Sequence, residues 1–121
     1  MPGYDLDHTY VDGVVAFAAS SGSSLAVTRD TVEATTSLGM SLRKLQVALH
    51  DQAVLIAGVD SSGDAWLVHG APLSGVFTEV PLESGLSGAI IDIDILATSA
   101  ETLMVALRSA SEVAVMGVSL N

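Results

Sequence analysis

The 121-residue chain contains no cysteine, so it has neither a disulfide framework nor a thiolate metal site, and its redox compartment cannot be read. Cations are scarce. Arg29, Arg43, Lys44 and Arg108 stand against 14 acidic residues, giving a formal net charge of -10. A field of that sign repels phosphate backbones and anionic lipid, which points away from nucleic acid and membrane surfaces as partners. The aromatic residues, one Trp, two Tyr and two Phe, are too few for base stacking. No apolar run approaches the roughly 20 residues that span a bilayer. The first residues, Met1-Pro2-Gly3-Tyr4-Asp5, lack the basic and apolar regions of a signal peptide, and Pro2 stands where myristoylation needs glycine. The expectation is a soluble chain, without membrane insertion, of unassigned location.

Chemistry-bearing motifs are equally sparse. His8, His50 and His69 are the whole imidazole supply, and none has the H-x-H or H-E-x-x-H spacing that sets two ligands on one face. His50-Asp51 falls at a strand end before a turn. There is no G-x-S-x-G elbow, and no lysine follows a glycine-rich phosphate loop. Asp92 and Asp94 share one face of a strand, as do Asp5 and Asp7. Paired carboxylates serve glycoside hydrolysis at a suitable separation, but alternation with Ile91, Ile93 and Ile95 makes Asp92 and Asp94 the solvent face of an amphipathic strand. The expectation is no catalysis, no cofactor and no metal.

What the chain does have is apolar residues, at 50% with a mean hydropathy of +0.56. A surplus of that size in a charge-poor chain points to a buried partner surface. The pattern is that of strands. Ile91-Asp92-Ile93-Asp94-Ile95 alternates with period 2, and valine, threonine and isoleucine recur in runs of five to seven broken by Gly, Ser, Asp and Pro. Met40 to Leu49 has a weak helical spacing through Leu42, Leu45 and Leu49, yet Val47 and the preceding Gly39 favour a loop leading into a strand.

The chain also matches itself. At a shift of 41, Val14-Val15-Ala16 meets Leu55-Ile56-Ala57, Ser20-Ser21-Gly22 meets Ser61-Ser62-Gly63, and Leu25-Ala26-Val27 meets Trp66-Leu67-Val68. At a further shift of 48, Leu55-Ile56-Ala57 meets Leu103-Met104-Val105, and Ala65 to Val68 meets Val113 to Met116. One domain over residues 1–121 is expected, all-β, with repeat units over about 4–39, 44–80 and 89–121. Each unit reads as strand, strand, tight turn, strand, strand, and the third stops before its fourth strand. Asp60-Ser61-Ser62-Gly63-Asp64 then lies at the hairpin turn of the second unit. Gly63 can supply a positive φ there, and the Asp and Ser side chains can bond nearby amides. A calcium loop needs more convergent oxygens.

A four-stranded unit of this length resembles a β-propeller blade. The hairpin AVLIAGVDSSGDAWLV resembles a WD-type blade hairpin. Through Asp60, Gly63 and Trp66 it also resembles a degenerate Asp-box turn of sialidase-like propellers, with the spacing off by one residue. The resemblance implies an architecture and no activity. Fewer than four blades do not close, so blades would imply closure by a second chain. The alternatives are a closed three-fold β monomer, either trefoil or prism, and a β-sandwich.

The functional expectation is a non-enzymatic, self-associating structural or interaction protein, such as a subunit of a virion or another surface assembly, partnered by itself or by other protein subunits. Val113-Ala114-Val115-Met116-Gly117-Val118 is apolar on both faces and carries no lysine or proline to blunt pairing, which makes Val113, Val115, Met116 and Val118 the candidate interface. The alternative is a lectin-like carbohydrate-binding module with Trp66 as the sugar-stacking residue.

Overall fold

The computed structural model describes residues 4–11, 13–83, 85–99 and 101–120, and over them the chain is all-β. The first four strands are β1 (Tyr4–Val11), β2 (Val14–Ser21), β3 (Ser24–Arg29) and β4 (Val32–Ser37). They form one antiparallel sheet in chain order. β5 (Arg43–His50), β6 (Ala53–Val59), β7 (Ala65–Ala71) and β8 (Val76–Leu82) form a second in the same way, and β9 (Asp92–Thr98), β10 (Thr102–Arg108) and β11 (Val113–Ser119) form a three-stranded third. The segment around Leu42 is a loop and Leu45 to Leu49 is strand, as the sequence suggested.

Short turns set this meander. Gly13 (φ 81°) and Asp51 (φ 51°) take left-handed conformations in the short links after β1 and β5, as tight hairpin turns favour. Within each sheet every strand after the first pairs with its predecessor, and the longer links β4–β5 and β8–β9 start a new sheet, so three open sheets result. No barrel closes among them, which leaves the trefoil and prism alternatives without support.

The sheets stack face to face, with the second in the middle. Its strand β6 is buried along almost its whole length, as expected of a strand covered on both faces. One side, through Val54, Ile56 and Val68, packs on Ala16, Ala18, Leu25 and Val27 of the first sheet. The other, through Leu55, Ala57 and Leu67, packs on Ile93, Leu103, Val105 and Leu107 of the third. Backbones of neighbouring sheets approach most closely through β1, β2, β5, β6 and β9, so the stack is tightest along its first strands.

Asp5 and Asp7, which share one face of β1, are half-buried and tie β1 to β5. A register slip lies between Arg43 and Gln46, and Lys44 sits there at φ 57°. Asp5 Oδ2 accepts the amides this slip frees, those of Lys44 and of Leu45 (3.4 Å), while Asp7 Oδ2 accepts the Val47 N–H at 2.8 Å. These carboxylates therefore join two sheets and do not form an open pair.

Candidate interaction surface

The turn 60–64 is built around one carboxylate. Asp60, 8% exposed, accepts the amides of Ser62 (2.8 Å) and Asp64 (3.0 Å) on Oδ1 and the Trp66 indole N–H (2.9 Å) on Oδ2. Burial pushes its carboxyl up, but bonds from Asp64, Trp66, Ser62 and Gly63 outweigh this and hold it below the ordinary value of 3.8. N–H donors occupy both oxygens where a cation would sit. Asp64 is exposed and does not converge on them. Among the described residues no group of three or more His, Cys, Asp or Glu could hold a metal.

The same turn fastens the second sheet to the third. Gly63 O accepts the Ile90 N–H at 2.8 Å. Gly63 has φ +84°, and a Cβ there would meet Ala89 Cβ at 2.3 Å. Only glycine permits both the conformation and the approach. Trp66 is half-buried and packs on the core between the first two sheets. It also borders a cleft of about 370 Å³ with Pro81, Asp64, Glu83 and Leu86.

The histidines are not brought together into a site. His8 is exposed on the outer face of the first sheet, His50 ends β5 beside its turn, and His69 lies half-buried in β7. Asp92 and Asp94 are exposed on the outer face of the third sheet, as the alternation predicted. Asp92 lies 3.9 Å from Arg108, and both side chains are more than half exposed, so this ion pair contributes little.

The four candidate interface residues of β11 divide between two faces. Met116 and Val118 turn inward onto the core shared with the second sheet. Val113 and Val115 point outward, 69% and 56% exposed. Of the strand's two apolar faces, one is an internal sheet contact and the other is open. Beside Val115 on the open face lies Ala106, and beside Gly117 lies Met104.

A second open face was not singled out from the sequence. On the first sheet, Leu6 and Tyr10 of β1 and Val15 and Phe17 of β2 are 62%, 68%, 40% and 44% exposed. They form one patch, because Tyr10 pairs with Val15 and His8 with Phe17. The signal was the alternation Leu6, His8, Tyr10 against Asp5, Asp7, Thr9, which reads as polar inside and apolar outside and so inverts the usual rule. Comparison with protein-family models, curated proteins and solved structures returned no match. No helix among the described residues is long and apolar enough to cross a membrane.

Proposed function

We propose that this chain is a non-enzymatic, self-associating structural or interaction protein, built as an arc of three repeated, propeller-blade-like sheets. The observation that carries the reading is the pair of exposed apolar clusters at the two ends of the stack, Val113 and Val115 on one, beside Asp92 and Asp94, and Leu6, Tyr10 and Phe17 on the other. Scattered apolar residues are ordinary on a surface, whereas a contiguous patch marks a partner. The blade reading is supported by meanders of four, four and three strands stacked face to face and drawn together at β1, β5 and β9, the arrangement a propeller places around its channel. A charge-poor chain of this kind suits a subunit of a virion or another surface assembly.

The test is the mass by light scattering across a hundredfold dilution. A multiple of the 12.3 kDa chain is expected, and a compact monomer throughout would refute self-association. A carbohydrate-binding module is the second reading, favoured by the cleft at Trp66 with its acidic neighbours Asp64 and Glu83. Glycan-array binding lost in Trp66→Ala would support it.

A further inference from the structure

Each sheet has a forward face, turned towards the next sheet in the chain, and a rear face, and strand pairing lets equivalent positions be compared. On the forward face of the first sheet Ala18 pairs with Val27. On that of the second Ala57 pairs with Leu67, and on the open face of the third Ala106 pairs with Val115. In all three an alanine stands opposite a branched aliphatic residue. Val27 and Leu67 are 0% and 1% exposed beneath the following sheet, whereas Val115 is 56% exposed.

The rear faces show the converse. Ile56 pairs with Val68 in the second sheet and Val105 with Met116 in the third, and Ile56 and Val105 are each 0% exposed against the preceding sheet. The matching residue of the first sheet is Phe17, paired with Thr28 and 44% exposed. The stack is thus left with one unfilled forward face and one unfilled rear face. These are the two halves of the contact the chain makes twice within itself: Ala18 shares a core with Ile56, and Ala57 shares one with Val105.

Resting on the self-association reading, we infer that the occupant of each open face is a second copy of this chain. The forward face of the third sheet, at Ala106 and Val115, covers the rear face of the partner's first sheet, and the reverse contact closes the ring. The contact is head-to-tail, so it forms a ring where the rotation closes and a filament where it does not. Two copies supply six sheets, inside the range of about four to eight in which propeller rings close, and three copies would supply nine, outside it.

The experiment uses Val115→Lys and Phe17→Lys, both at exposed positions, with native mass spectrometry and far-UV circular dichroism. The parent is expected at twice the chain mass. Each variant alone is expected as a folded monomer. An equimolar mixture is expected to regain a 1:1 dimer, weaker than the parent, because each mixed pair retains one unaltered interface. A parent that forms trimers or an open series of masses overturns the ring, as does either variant remaining dimeric alone or the mixture staying monomeric. These results leave self-association standing, whereas a monomeric parent removes both readings. If either variant loses its β spectrum, Val113→Lys and Leu6→Lys take their places with the same outcomes.

Discussion

Replacing Asp60 by asparagine separates the two jobs of its carboxylate. Asparagine keeps Oδ1 for the Ser62 and Asp64 amides but turns an NH2 group towards the Trp66 indole N–H, so a donor faces a donor. A hydrogen bond to a charged group contributes about 1.5–3 kcal/mol, and a half-buried donor left unpaired costs about 1–3 kcal/mol. Asp60→Asn is therefore expected to destabilise by about 2 kcal/mol. With an unfolding slope of about 1–2 kcal/mol per molar urea for a chain of this size, the midpoint falls by about 1–2 M. In a Trp66→Phe background the indole donor is gone, and the same change should cost about 1 kcal/mol less. Trp66 is the single tryptophan, so all four proteins of this cycle are followed by far-UV circular dichroism, which does not depend on it. A coupling energy indistinguishable from zero would refute the assignment of Oδ2 to the indole. An unchanged midpoint in Asp60→Asn would refute the turn's dependence on the charge.

Two further changes probe the same region. The Asp60 carboxyl is held below 3.8 in the folded chain, so its contribution is present above the unfolded value and lost as pH falls through the folded one; the stability gap between the parent and Asp60→Ala should be constant from pH 7 to about 5 and close below about 4, and urea midpoints that diverge on acidification would contradict this. Gly63→Ala should cost about 2–4 kcal/mol, combining a left-handed penalty of about 1–2 kcal/mol with collision against the Ala89 backbone; Gly85→Ala, at φ +74° with nothing within 4 Å, should show the first part alone, and equal midpoints in the two variants would refute the packing part.

The sequence by itself determined the strands. Period-2 alternation and clusters of Gly, Ser and Asp are local signals, and local chain geometry turns them into strands and tight turns whatever packs around them. The eleven strands lie within a few residues of where those signals place them, and Asp60-Ser61-Ser62-Gly63-Asp64 is a turn, as its composition requires. Apart from β9, whose Ile-Asp alternation marks its outer face, only the tertiary structure decided which face each strand buries. The hairpins that closed the self-match differ in loop length: Ser20 pairs with Leu25, Val59 with Ala65 and Arg108 with Val113. Equivalent positions of β6 and β10 are therefore 49 residues apart and not 48. A slip of one residue exchanges the two faces of a strand, so the ungapped shift of 48, which holds between β7 and β11, sets opposite faces of β6 and β10 against each other, and the division of Val113 and Val115 from Met116 and Val118 is read only from the packing of the third sheet on the second. Asp5 and Asp7 were equally out of reach, because the amides they accept lie about forty residues along the chain, beside a bulge in β5 that no local pattern announces. The open rear face at Phe17 and the open forward face at Val115 follow from the stacking order of the sheets, which is a property of the assembled layers and of no single strand.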